Sequence, residues 1–290
     1  MTAKPLVAAT DGSEESMRAV EWAAREAVLH SAALRIVSAA SLPRMIGLQV
    51  RPDRDVVADL LREERDRALA AAARRAAGMA PGLLIDTDSL PGQPAQAVAE
   101  SGAGALMLVV GSRGIGAFAA MVLGSVSRYA AAHASCPVVV VRDETAAVRQ
   151  QVAVGIGDLD SCADSLTFAF EEAGLRKASL LVTHAWHTPQ TEISRAGSPS
   201  PVPGSYAIEA EAARQLAKLL DGWRNKYPEV PVSQDVVHGH PGRALVGLSA
   251  SSDLVVIGRH AKHPSLQGPG AVRHAVLNYA LGSIAVVPSS

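Results

Sequence analysis

Residues 109–127 read VVGSRGIGAFAAMVLGSVS. Gly111 closes the apolar run ALMLVV, Gly114 follows three positions on, and Gly124 precedes Ser125, Val126 and Ser127. A loop that leaves a strand through spaced glycines and ends at a helix start suits phosphate. Glycine permits close approach of backbone to a ligand, and positive φ. A helix start presents unpaired N–H groups at the positive end of its dipole. Ser125, a residue type favoured at helix N-caps, and Ser127 would add hydroxyl donors, and Arg113 a positive charge. Spacing alone leaves a second reading open, in which the glycines only make turns between strand and helix.

Residues 256–274, VIGRHAKHPSLQGPGAVRH, repeat this passage with changed letters. Gly258 matches Gly111, but Ala261 replaces the second glycine and eight residues rather than nine separate it from Gly270. Ala271 and Arg273 replace Ser125 and Ser127. The second copy is expected to bind the ligand of the first weakly or not at all. Arg259, His260, Lys262, His263 and Arg273 leave open a different, anionic ligand.

Other chemistry is poorly supported. No glycine is followed by lysine, and neither Gly-x-Gly-x-x-Gly nor Gly-x-Ser-x-Gly occurs, which argues against an ordinary P-loop NTPase, a dinucleotide oxidoreductase and an α/β-hydrolase. The histidine pairs His184/His187, His238/His240 and His260/His263 fall on strand ends and loops without cysteine partners, so no metal site is expected. Cys162, near a helix start, is a candidate for a lowered pKa, yet neither it nor Cys136 has a base partner in the pattern. No acid–base pair stands out, so binding is favoured over turnover and no catalytic residue is assigned.

The elements that must position the loop follow from periodicity. PLVAAT is a short strand, and EESMRAVEWAAREAVLH has helical spacing of Met17, Val20, Ala24 and Val28. LRIVSAA, LLIDTDSL, ALMLVVG and PVVVV are further strands, separated by helical segments, the longest within DVVADLLREERDRALAAAARRAA. The same order recurs from QVAVGIG to SIAVVP, with Gly92 and Gly239, like Gly111 and Gly258, 147 positions apart. Alternating strands and helices predict an α/β fold of parallel sheets covered on both faces. Two tandem domains are expected, over 1–143 and 150–290, joined at DETAAVRQ, with an exposed Pro/Ser/Gly-rich loop at 187–205.

With 290 residues, 48% of them hydrophobic, the chain can bury two cores. A net charge of −1 without a basic arm argues against nucleic acid as partner. Two cysteines without a Cys-x-x-Cys fit a reducing compartment. The apolar stretch Leu6–Ala9 is too short for a signal-peptide core, and no run reaches a membrane span. A cytoplasmic protein that does not enter membranes is expected.

Gly111-x2-Gly114-x9-Gly124-Ser125 resembles the nucleotide-binding signature of the universal stress protein family. ATDGSEESMRAVEWA resembles that family's first strand and Asp-Gly-Ser turn, and ALMLVVGSRG and CPVVVV its fourth and fifth strands. The resemblance covers the chain as two tandem copies, an arrangement familiar in actinobacteria. It implies, in each copy, a five-stranded open parallel sheet of order 3-2-1-4-5, like the adenine-nucleotide α-hydrolases. It also implies ATP at the strand ends of the first copy, with Mg²⁺ carried by the phosphates where present. On that basis Asp11 would contact the adenosine part beside Thr10, and Ala39 and Val110 would approach adenine. Gly111, Arg113 and Gly114 would line the phosphate loop, and Gly124, Ser125, Val126 and Ser127 would hold ribose and phosphates. Asp-Gly-Ser before a helix is also ordinary turn chemistry. In the second copy Gly157 stands at the place of Asp11, with Asp158 one step later.

The expected function is that of an ATP-binding regulator of the stress response, acting as a homodimer with a further protein partner and at most slow ATP hydrolysis. Two alternatives stand beside it: a slow ATPase or nucleotidyl-transfer enzyme of the α-hydrolase superfamily, and a nucleotide-free scaffold for protein interaction.

Overall fold

The structure, a computed structural model, describes residues 4–39, 54–114, 123–142, 148–186, 205–259 and 270–289. The chain divides into two compact units, Met1–Asp143 and Glu144–Ser290. Residues 143–147 of the expected junction lie outside the described residues, as do 187–204 of the Pro/Ser/Gly-rich loop.

The first unit runs β1 (Leu6–Ala9), α1 (Glu14–Leu29), β2 (Leu34–Ala39), α2 (Arg54–Met79), β3 (Ile85–Leu90), α3 (Pro94–Ser101), β4 (Leu108–Gly111), α4 (Ser125–His133) and β5 (Val138–Val141). Its strands pair in parallel in the order β3-β2-β1-β4-β5, the 3-2-1-4-5 arrangement expected. Every residue of β1, β4 and β5 is buried. Strands so short and so apolar stay parallel only when helices cover both faces.

The second unit repeats the pattern: β6 (Gln151–Ile156), α5 (Ala163–Arg176), β7 (Ser179–Trp186), α6 (Ser205–Lys226), β8 (Val232–His238), α7 (Pro241–Leu248), β9 (Leu254–Gly258), α8 (Ala271–Tyr279) and β10 (Ser283–Val287). Its order, β8-β7-β6-β9-β10, is again 3-2-1-4-5 and wholly parallel. In each unit the direction of winding reverses beside the first strand, and ligands of open parallel sheets bind at such a reversal, outside the carboxyl ends of the strands.

Helix α1 buries Met17, Val20, Ala23, Ala24 and Ala27, while Val28 is 55% exposed. The last turn thus places Ala27, rather than the larger Val28, against the sheet. Ser13 caps its start, accepting from the Ser16 amide, and Glu14 and Glu15 lie in the first turn, where carboxylates complement the helix dipole. Helix α2 is tied to α1 by Arg75, which reaches the Glu14 carboxylate through both terminal nitrogens, at 2.6 and 3.0 Å, and Glu21 through Nε.

The Arg75 guanidinium lowers the pKa of Glu14, chiefly by hydrogen bonding, and both glutamates raise that of Arg75. A lowered carboxyl pKa stabilises the fold above the ordinary glutamate range, and that stabilisation is lost as pH falls through the lowered value. Arg75→Met is therefore expected to lower the urea midpoint at neutral pH, with the gap to the wild type closing below about pH 4. Urea titrations at both pH values check this; an undiminished gap in acid would show that the loss is one of packing alone.

Candidate nucleotide site

The carboxyl ends of β1 and β4 and the start of α4 converge in the first unit. Thr10, buried just beyond β1, donates its hydroxyl to Ser16 Oγ at 3.0 Å, because the Ser16 hydroxyl proton is already given to the Ser13 carbonyl at 2.8 Å. Thr10 Oγ1 accepts from the Gly12 amide and Ser16 Oγ from the Asp11 amide, so the turn is held from within. Asp11 projects from this turn. Its Oδ1 accepts both the amide (3.0 Å) and the hydroxyl (2.6 Å) of Ser13.

One of the three motif glycines lacks a side chain for a reason of backbone packing within the chain. A Cβ on Gly111 would lie 2.9 Å from the carbonyl oxygen of Glu15 and 3.1 Å from the amide nitrogen of Ser16, because the first turn of α1 rests on the end of β4. A Cβ on Gly114 would meet the Asp11 carboxylate at Oδ2, the movable end of a side chain. The sequence suggested that both glycines serve close approach to a ligand and positive φ; the neighbours here belong to the chain itself, and neither residue is among the positive-φ glycines. Gly124 has φ −66°, and its Cβ would make only ordinary contacts of 3.5 Å or more.

At α4 the cap assignment shifts by one residue. Gly124 is the N-cap, with no side-chain capping bond, and Ser125 is the first helical residue. Among the described residues, the amides of Ser125, Val126 and Ser127 at the start of α4 thus receive no side-chain cap from the N-cap position. Ser125 is exposed, whereas Ser127 is buried and donates its hydroxyl to the Gly111 carbonyl at 2.6 Å. That donor fastens helix to strand and does not point to a ligand. Ser112, not singled out from sequence, accepts from the Gly124 amide at 2.8 Å and closes the loop at its base. Arg113 is exposed; Ala39 ends β2 beside Leu90, and Val110 is buried between β1 and β5. Residues 115–122, the middle of the loop, lie outside the described residues.

A protein-family model for the universal stress protein family matches residues 2–142 and again 149–288. The chain belongs to the universal stress protein family. It is similar to the universal stress protein Rv2005c of Mycobacterium tuberculosis, with 32% identity over 304 residues, covering 98% of this chain and 97% of that one. A universal stress protein of Mycolicibacterium smegmatis is 31% identical over 264 residues, covering 89% and 87% of the two chains. Among solved structures, a universal stress protein from Archaeoglobus fulgidus superposes with a TM-score of 0.70 at 15% identity over 98% of both chains, a likeness of fold.

The second unit of this universal stress protein is built differently at the same place. Asp158 is consumed by its own turn, Oδ1 accepting from the Asp160 amide and Oδ2 from the Ser161 hydroxyl. Gly157, at the position of Asp11, offers no side chain. The N-cap of α8, Gly270, has φ 96°, a left-handed conformation quite unlike Gly124. Arg273 takes the place of Ser127, donating from Nη1 to the Arg259 carbonyl at 3.1 Å and laying its guanidinium against Gly270. Helix α8 therefore begins under a cation of its own. His260, Ala261, Lys262 and His263 lie outside the described residues.

His184, His238 and His240, three of the paired histidines, are engaged locally. His184 donates from Nδ1 to the Ile156 carbonyl, His238 packs on Trp186 with ring centroids 4.5 Å apart, and His240 caps α7 by accepting from the Gly242 amide. His187 lies outside the described residues. Cys162 stands at the N-cap of α5 without a capping bond, its Sγ donating to the Leu159 carbonyl; burial raises its thiol pKa and Asp158 and Asp160 add to the effect, the reverse of the lowering expected from a helix start. Cys136 is buried.

Gly111→Ala forces a side chain into α1 and is expected to lower unfolding free energy by about 1–3 kcal/mol. Gly124→Ala meets no such contact and is expected to cost less than about 1 kcal/mol, mainly through poorer capping. Urea unfolding of the two variants measures the difference; equal losses would contradict the contacts described.

Proposed function

We propose that this universal stress protein binds ATP in its first unit and works as a nucleotide-responsive regulator. The observation that carries the reading is the start of α4: three successive amides without a side-chain cap, at the switch point of the sheet, beside a loop that brings Gly114 against Asp11. An uncapped helix N-terminus fits phosphate by charge and by hydrogen bonding. Ser125, exposed at the first position, adds a hydroxyl, and Arg113 is placed at the surface to screen phosphate charge. Asp11 is the acceptor for the adenosine part, with Ala39 and Val110 flanking the base. Mg²⁺ travels with the phosphates. The second unit, with Gly157 for Asp11 and Arg273 over α8, binds ATP weakly or not at all.

ATP biases the surface that a regulatory protein partner reads, and the chain acts in the cytoplasm as a homodimer. Among the described residues no helix is long and apolar enough to cross a membrane. Turnover is slow at most, because among the described residues no general base or activated nucleophile is assembled at the ends of this loop.

A second reading, the nucleotide-free scaffold, is favoured by one set of contacts. Gly111 and Ser127 each have an intrachain partner that accounts for the residue type without a ligand. Calorimetric titration separates the readings. Gly114→Glu is expected to abolish ATP binding, and Ala261→Glu to leave it within about twofold. Absence of binding by the wild type would support the scaffold, and equal losses in both variants would refute a site confined to the first unit.

A further inference from the structure

Arg128 lies in the first turn of α4, three positions after Ser125, and the side chains of a helix lean toward its N-terminus. Its guanidinium accordingly reaches back past the cap, and Nη2 donates to the carbonyl of Leu123, the residue just before Gly124, at 3.1 Å. Leu123 is only 2% exposed, so that carbonyl is a fixed anchor. The guanidinium does not cover the cap itself, since the atoms nearest a Cβ on Gly124 belong to Ser112, Arg113 and Ser127. Among the described residues no carboxylate pairs with Arg128. Arg62, Arg67, Arg75 and Arg176, also on helices, each have one. The first turn of α4 holds no acidic residue either, in contrast to α1 with Glu14 and Glu15.

A guanidinium and a helix start repel one another, because both are positive. The uncapped amides of α4 and an arginine without a carboxylate therefore leave this end of the glycine loop with an excess of positive charge and of donors, which an anion cancels. We infer, resting on the ATP reading above, that Arg128 is the specificity-determining cation of the first unit: it grips the phosphate chain from beside α4 and so favours the triphosphate over the bare nucleoside. The planar fork of a guanidinium suits phosphate oxygens, and the Leu123 carbonyl engages only one of its nitrogens. The second unit lacks the arrangement. His274 stands at the place of Arg128, and the guanidinium of Arg273 lies against the cap residue, 3.3 Å from a Cβ on Gly270, where a phosphate would have to sit.

Calorimetry with ATP and with adenosine, on the full chain and at low and high salt, tests this role. Arg128→Gln is expected to bind ATP on the order of tenfold more weakly, the usual effect of losing a hydrogen bond between charged groups. Its affinity for adenosine, which carries no phosphate, should stay within about twofold of the wild type. Added salt should weaken ATP binding less steeply in Arg128→Gln than in the wild type, because one charge contact fewer is left to screen. Arg128→Lys keeps the charge and a donor for the Leu123 carbonyl but loses the fork, and should fall between the two. A residue that only anchors the loop would change both ligands alike and leave the salt dependence as it is. Equal losses for ATP and adenosine, an unchanged salt dependence, or wild-type ATP affinity in Arg128→Gln would overturn the role of Arg128 and leave the ATP reading standing. A wild type that binds neither ligand, or adenosine alone, would overturn both.

Discussion

A missing side chain at the end of β4 is the constraint on which the rest of the first unit depends. Because Gly111 has no Cβ, the first turn of α1 rests directly on the strand end, at distances that any other residue would fill. That contact sets the chain's exit from β1, hence the place of the Thr10–Ser16 turn and of Asp11. The backbone carbonyl of the same glycine receives the Ser127 hydroxyl, so the start of α4 is fastened to the same point. Two helix starts are thus gathered around one residue. One is capped by Ser13, and the other has no side-chain cap. That difference gives the crevice its polarity.

The second unit keeps the sheet and alters this junction. A guanidinium now makes the strap that a serine hydroxyl makes in the first unit, and it donates to the carbonyl of Arg259 instead of that of the strand glycine. An arginine in the first turn of a helix carries the wrong sign for the dipole, whereas a serine there carries none. The carboxylate that faces the loop in the first unit has turned into its own capping turn in the second. The two crevices thus differ in charge at both of their ends, although the strand order around them is the same.

Much of this was legible in the residues. The short aliphatic strands, the helical spacing of Met17, Val20 and Ala24, and the repeat of Gly111 at Gly258 point to two α/β units, and the resemblance of the glycine signature supplies the strand order. What spacing does not convey is the direction in which a missing Cβ would have pointed. Gly111 and Gly114 look like residues kept bare for a ligand, yet the atoms nearest their absent side chains belong to Glu15, Ser16 and Asp11. Ser127 looks like a free donor for the same reason. Its partner, the Gly111 carbonyl, is sixteen positions away and becomes visible only once β4 and α4 are packed. The position of Ser125 differs by a single residue from expectation, since Gly124, with an extended ψ of 156°, takes the cap itself. The hydroxyls of Thr10 and Ser16 hold the Asp-Gly-Ser turn from within, and a hydroxyl in a turn before a helix is so ordinary that its partner leaves no mark on the pattern.

The chain carries two universal stress domains, and we propose that only the first is used for ATP. Photocrosslinking with 8-azido-ATP, followed by proteolysis and mapping of the modified peptides, tests it most directly. The account predicts adducts that compete with unlabelled ATP and fall within residues 4–142. Competed adducts within 148–289 at comparable yield, or none in either unit, would contradict it.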